Sequence, residues 1–410
     1  MKVAQINSVY GFGSTGIIVK DIEQMLKQNG DSSCIIYQQT KIPVENGFRV
    51  GNLVDWKVHA FMTRIRGKQG YDSILSTKKM LTYLDMENPD IVHLHNLHSN
   101  YINLNMILDY LRKKNIPTVV TLHDCWFFTG KCYHFVVSGC HRWETICRNC
   151  PQNKEDVKSL FFDQSSRVFE DKRKHFQNIS ALTVVGCSEW IKNLARKSPI
   201  FANKKIVQIY NGVDTDIFYS RHNRLFREKN SLGNQFVILG MANKWLQNRN
   251  RDIFERILGA LSTDDVIVII GCSEDQRRDF SHSNKVIPIG YINDRNELAD
   301  IYSSADVFVN LTLEDTLPTV NMEAICCGTP VITYDSCGSP ELVEEGKTGY
   351  IIPANSFIAL KNSLKKIKEG NLSRHECEEI GHRCFNKNEQ YLKYLQVYND
   401  LIKRKKGDRV

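Results

Sequence analysis

At 410 residues the chain is long enough for two domains of ordinary size, each with a full core. Apolar residues make up 42% and charged residues 24%, which excludes a disordered or fibrous chain, and no apolar run approaches the roughly 18 residues of a membrane span. The net charge of +8 suits an anionic small ligand or an acidic membrane surface and falls short of a nucleic-acid binder.

The first segment, MKVAQINSVYGFG, carries one lysine and a polar-interrupted strand pattern, so it reads as a strand and not as a secretory leader. A cytoplasmic location is the expectation, and there the thirteen cysteines read as core residues or metal ligands before disulfides. Apolar strand runs follow at 2–7, 33–38, 90–95, 118–123, 181–188 and 205–211, with helical patterns between them such as Thr15–Gln28 and Leu104–Lys114. That alternation marks a parallel α/β sheet. At 219–235 the pattern gives way to a polar, basic stretch, read as a linker.

Strand runs resume at 236–242, 265–271, 286–292, 306–312 and 330–335, alternating with helices such as Arg251–Leu261 and Asn296–Ser303. The tail from about Arg383 reads as one amphipathic helix, with Phe385, Tyr391, Leu392, Leu395 and Tyr398 on one face. The expected organisation is therefore a doubly wound domain at 1–218, a linker at 219–235, a second doubly wound domain at 236–382 and a C-terminal helix at 383–410. In such sheets ligands sit at the carboxyl ends of strands, and a cleft between the halves is the expected site.

The segment LEDTLPTVNMEAICCG lies between two of these strands. Asp315 falls in the loop after the first strand, and Glu323 falls about one turn into a short helix opened by Pro318 or Thr319 and closed by Gly328. A carboxylate accepts two hydroxyl hydrogen bonds at once, the geometry of a ribose or hexose diol, and helix-start amides favour phosphate. Together they describe a nucleotide-sugar. On spacing alone, a capping Asp315 and a solvated Glu323 explain the pattern equally well. The GFGSTG loop at 11–16 and the SCGSPE loop at 336–341 also follow strands, and a plain turn accounts for the glycines as readily as phosphate binding does.

Three segments, NGVDTDIF, EDTLPTVNMEAICCGTPVIT and CGSPELVEEGKTGYII, resemble the retaining glycosyltransferases of family four. LHDCWFFTGKCYHF, with RWETICRNCPQ, is similar to a subgroup that builds bacterial surface polysaccharides. The resemblance implies the GT-B fold: two Rossmann-like domains facing across a cleft, with the C-terminal helix crossing back to the first. It implies that Glu323 holds ribose hydroxyls, that Asp315 holds the transferred sugar, with Glu314 as competitor, and that Thr316, Leu317, Pro318 and Thr319 line the donor. Lys244 and Arg249 stand where the family has a diphosphate-neutralising Arg and Lys, and His123 matches a histidine beside the donor sugar. Gly13, Ser14, Thr15 and Gly16 match a loop under the diphosphate, and the amides around Gly338 and Ser339 complete the counter-charge. Ile17, Asn250 and Asp315 depart from common family residues. The implied donor is a UDP- or GDP-sugar, the acceptor a glycan or lipid-linked glycan, and no metal cofactor serves catalysis. A nucleotide-sugar epimerase of the same fold and a non-catalytic binding subunit are the competing readings.

Cys132, Cys140, Cys147 and Cys150 fall within nineteen residues of an insertion at about 125–151. A structural zinc, free thiols and disulfides all fit that grouping. Lys57, Arg64, Arg66, Lys68, Lys78 and Lys79, interleaved with Phe61 and Met62, form one basic patch. Lys192, Arg196, Lys197, Lys204 and Lys205 form another. Both suit an anionic bilayer, and both suit solvated helix faces.

Overall fold

The computed structural model describes residues 1–221, 225–247 and 250–407. It divides into two compact units, Met1–Asn211 with Asn388–Val410, and Gly212–Lys387.

The first unit is built on seven parallel strands: β1 (Lys2–Ile6), β2 (Ser32–Tyr37), β3 (Gly47–Arg49), β4 (Ile91–Leu94), β5 (Thr118–Leu122), β6 (Leu182–Gly186) and β7 (Lys205–Gln208). Their spatial order is β3-β2-β1-β4-β5-β6-β7. Successive strands run outward on one side of β1, and β4 then returns to its other side, pairing Val3 with Ile91. The central strands β4, β5 and β6 are buried at every position because both faces are covered. One face packs on the helix Gly13–Gln28 and on the C-terminal helix, whose Tyr391, Tyr394, Val397, Tyr398 and Leu401 are buried with Val3, Ile22 and Ile91.

The second unit has six parallel strands: β8 (Phe236–Met241), β9 (Asp265–Ile270), β10 (Val286–Ile289), β11 (Val307–Asn310), β12 (Val331–Tyr334) and β13 (Gly349–Ile352). The order β10-β9-β8-β11-β12-β13 reverses between β8 and β11, where Ile238 pairs with Val307. Each sheet thus has one topological switch point, β1/β4 and β8/β11, and ligands of open α/β sheets bind at the carboxyl ends there.

Two boundaries differ from the sequence reading. The passage between units falls at Asn211/Gly212 and not at 219–235. Residues 225–229 are helical, and the arginines that made the stretch look like a linker fasten it to the second unit. Arg221 pairs with Asp300 at 2.9 Å and Arg227 with Asp306 at 2.7 Å. The tail is two helices, Arg374–Phe385 and Lys387–Gly407, interrupted at Asn386. Asn386 leaves helical geometry because Val213 takes its backbone in a β-bridge and Thr215 accepts from its amide at 2.7 Å. Among the described residues no helix is long and apolar enough to cross a membrane.

Candidate functional site

Three loops leave the carboxyl ends of neighbouring strands β8, β11 and β12 at the second switch point. The loop after β11 holds Asp315, whose Oδ1 accepts from the Leu317 amide at 3.1 Å, turning the chain ahead of the helix Thr319–Cys326. Asp315 therefore does not cap that helix. Pro318 stands at the N-cap and supplies no side-chain cap to the first amides. The loop after β12 lies against it: the Gly338 amide donates to the Asp315 carbonyl at 3.2 Å, and Ser336 Oγ donates to the Leu313 carbonyl at 2.5 Å. Cys337 adopts φ +54°, and Ser339 Oγ is buried with no hydrogen-bond partner. Beneath them Asn310, Asn321 and Thr333 form a closed network, Asn310 donating to Asn321 at 2.8 Å. The structure thus brings together Asp315, Thr316, Leu317, Pro318, Gly338 and Ser339.

Glu323 lies on the helix that follows, Thr319–Cys326. Its carboxylate accepts from Tyr302 Oη at 3.3 Å, on the helix Arg295–Ser304. Burial pushes its pKa up to about 7, while Arg295 and the Tyr302 hydroxyl act in the opposite sense. Arg295 also faces Asp214 at 3.7 Å, and Asp214 binds Lys387 at 2.7 Å. Asp214 belongs to NGVDTDIF, so that motif fastens the chain around the groups facing Glu323. Sequence reasoning missed Arg295 and Tyr302. Their signal was weak, because an arginine opening a polar helix and a tyrosine near its end are ordinary helix residues.

The loop after β8 begins with a short helix, Ala242–Trp245. Lys244 is half-buried on it, with no ion-pair partner among the described residues, and its carbonyl accepts from Asn250 Nδ2 at 2.7 Å. Asn250 also donates to the Leu311 carbonyl at 2.7 Å, tying this loop to the one after β11. Arg249 lies outside the described residues.

In the first unit, Gly11 and Gly13 have φ of +73° and +64°, and a Cβ on Gly11 would meet Ile42 Cδ1 at 2.3 Å. The helix at Gly13 has no side-chain cap, leaving Gly13 and Ser14 exposed beyond β1, and Thr15 lies 3.4 Å from Asn7. His95 and His123 follow β4 and β5 directly, and their rings share a 3.0 Å hydrogen bond. Burial lowers His123 to about 4 and holds His93 and His95 well below 6.5, so all three are neutral at pH 7. Beside them Asp124 binds His98 at 2.8 Å and the Trp126 amide at 2.8 Å. Burial disfavours its charge, yet His98 and these hydrogen bonds hold the carboxyl below its ordinary range. Of the second basic group, Lys192 pairs with Glu189, Lys204 binds the Gln177 and Ile179 carbonyls and Lys205 pairs with Asp400, so these three serve the fold.

Two family models cover most of the sequence: Glycosyltransferase Family 4 over residues 16–217, and Glycosyl transferases group 1 over 242–383. The chain belongs to the family-four glycosyltransferases. A curated family relative, the UDP-Gal:alpha-D-GlcNAc-diphosphoundecaprenol alpha-1,3-galactosyltransferase of Escherichia coli, is 26% identical over 49% of this chain and 56% of its own. The capsular polysaccharide biosynthesis glycosyltransferase CapM of Staphylococcus aureus is 23% identical over 55% and 64%. The match thus spans less than two thirds of either relative. Solved structures share the GT-B fold over nearly the whole chain. Sucrose-phosphate synthase from Thermosynechococcus elongatus gives a TM-score of 0.70 at 17% identity, covering 98% of this chain and 99% of that one. HepE from Anabaena, in complex with UDP, gives 0.66 at 15%, covering 98% and 100%.

Proposed function

We propose that the chain transfers a sugar from a nucleoside-diphosphate sugar to a glycan of a bacterial surface polysaccharide, with retention at the anomeric carbon. The observation that carries this reading is the coupled pair of loops at the β8/β11 switch point. An acid turn at Asp315 there leads into an uncapped helix start, with Glu323 on the helix that follows. Glu323 would accept both ribose hydroxyls, Asp315 would hold the transferred sugar, and the first amides of the helix with those near Gly338 would face the diphosphate. Charge grows on the bridging phosphate oxygen as the bond to the sugar breaks, and Lys244, with Arg249, would oppose it. On this reading the acceptor hydroxyl attacks from the leaving-group side and the departing phosphate takes its proton. His123, neutral and half-buried, would serve the sugar as a hydrogen-bonding group and not as an acid.

The galactosyltransferase relative's name describes a lipid-linked acceptor, and the first unit carries a surface suited to one. Val54, Val58 and Phe61 form an exposed stripe on the helix Leu53–Arg66, flanked by exposed Lys57 and Arg64. Exposed Phe161 and Phe162 adjoin it, since the Leu160 amide donates to the Arg64 carbonyl at 2.8 Å. Apolar side chains beside cations match an anionic bilayer surface.

The test is incubation with a panel of UDP- and GDP-sugars, with and without a lipid-linked acceptor. A transferase releases nucleoside diphosphate, slowly by hydrolysis and faster with acceptor. A new nucleotide-sugar would mean an epimerase, and tight binding without turnover a binding subunit. Activity is expected to survive EDTA once any structural zinc in the cysteine insertion is allowed for. Loss of turnover that only magnesium or manganese restores would refute the metal-free mechanism.

A further inference from the structure

The insertion after β5 has almost no regular structure, only two short 3₁₀ turns at Trp126–Phe128 and Arg142–Glu144, yet much of it is buried. Cys132, Cys140, Cys147 and Cys150 all line one cavity of about 10 Å³, walled by Phe135 and Trp143. That is room for one water-sized body. Cys132 and Cys150 are hydrogen-bonded to each other, Cys147 lies close enough to Cys140 and Cys150 to interact electrostatically, and none of the four is in a disulfide. The Gly130 amide donates to Cys147 Sγ at 3.2 Å, a bond that strengthens when sulfur is charged.

A second observation is independent of the thiols. Lys131 and Lys172 are 2% and 0% exposed, and neither makes an ion pair among the described residues. Lys172 Nζ rests on the Trp126 and Thr129 carbonyls and 3.7 Å above the Trp126 ring. Lys131 Nζ donates to Asn153 Oδ1 at 2.7 Å. A lysine buried with only carbonyl partners keeps its ammonium form at a cost unless a negative charge stands near. Asp124, Asp156 and Asp163 contribute at a distance, and the other ionisable groups near the lysines are the sulfurs: Cys147 and Cys132 for Lys172, Cys150 and Cys132 for Lys131.

We propose that Cys132, Cys140, Cys147 and Cys150 bind one zinc ion as a tetrathiolate, with Lys131 and Lys172 as its counter-charges. Four thiols release four protons to solvent and bind Zn²⁺, leaving two net negative charges that the two buried ammonium groups match. Cys132 and Cys147 are buried and Cys140 and Cys150 half-buried, and the metal would supply the cross-link that the irregular insertion lacks. The sulfurs now stand as packed thiols, with no three metal-ligating groups of the described residues converging on one ion. Zinc binding would draw the four sulfurs together.

The experiment uses the full chain purified without chelator. Elemental analysis is expected to find about one zinc per chain. Replacement by cobalt(II) is expected to give the strong visible absorption of a tetrahedral tetrathiolate. Cys147→Ser should lose the metal and open the insertion to proteases. Lys172→Met keeps all four ligands, so it guards against a variant that simply misfolds, and it should weaken zinc about 10–100-fold, as loss of an outer partner does. Metal-free protein in which all four thiols react with a thiol reagent in the native state would overturn the proposal. So would a Cys132–Cys150 disulfide formed under mild oxidant with no metal to displace.

Discussion

Glu323 makes sense only when its free-state neighbours are counted. A carboxyl with an ordinary value of 4.5, raised by burial to about 7, is half protonated at neutral pH before any ligand arrives. Because the folded value exceeds the unfolded one, this group favours the fold most below pH 4.5, and that contribution is lost as pH rises through about 7. Ribose hydroxyls donate, so the ionised form is the binding form. Nucleoside diphosphate affinity should therefore fall as pH drops below 7, by up to about tenfold per unit. Glu323→Gln should lose the carboxyl's share of that slope, the ligand phosphate's own titration remaining in both proteins. Equal slopes by calorimetry would remove Glu323 from the ribose. Glu323→Ala should weaken nucleotide binding by roughly 1.5–3 kcal/mol. Asp315→Ala should spare free nucleotide and lose turnover, since that ligand lacks the sugar. Glu314→Ala behaving this way in its place would shift the register by one. The sequence carried the acids themselves, because their spacing is local. It did not carry Tyr302 and Arg295, because what brings them to Glu323 is the packing of one helix on another.

Elements were legible where burial is two-sided. A run such as DVIVII needs no partner to be read as a central strand, and it is β9. Elements whose meaning depends on a distant partner were not: 219–235 looked like solvent-exposed linker because its arginines find Asp300 and Asp306 only in three dimensions. NGVDTDIF is a sharper case. Val213 bridges Asn386, its amide donates to the Phe385 carbonyl at 2.7 Å, and a Cβ on Gly212 would sit 2.3 Å from Lys387 Cα. Both sides of that contact are backbone, so relief is expensive. Gly212→Ala should cost about 1–3 kcal/mol by denaturant titration. Gly259→Ala, inside the helix Arg251–Ala260 with nothing within 4 Å, should be neutral or gain about 0.5–1 kcal/mol. Matching losses at both sites would show that glycine content, and not the clamp at Lys387, is what matters.

For the whole molecule, the notable feature is that the chain leaves the first unit at Gly212 and its last helix returns to complete it. That return is cut into the sheet by polar as well as apolar contacts. His93 Nδ1 binds Tyr398 Oη at 2.8 Å and Thr121 Oγ1 meets Tyr394 Oη at 3.0 Å, so two tyrosines of the last helix satisfy groups inside β4 and β5. The amphipathic pattern of the tail was visible in sequence; that its tyrosines answer a histidine some three hundred residues earlier was not, since no local rule links them. Removing 388–410 takes away Tyr391, Tyr394, Val397, Tyr398 and Leu401, each worth about 1.5–3 kcal/mol when fully buried. Five such residues together rival the roughly 5–15 kcal/mol that holds a domain folded. They also leave His93 and Thr121 short of a partner in the interior. A chain ending at Lys387 should therefore lose the first unit's unfolding transition in calorimetry, while the second unit, whose core includes none of these residues, still melts cooperatively and still gains stability from added nucleoside diphosphate. Tyr398→Phe keeps the ring and removes only the hydroxyl, so it should lower the first transition modestly, by about 1–3 kcal/mol, without abolishing it. A truncated chain that retains both transitions would mean that the sheet of the first unit is stable with its helix face bare.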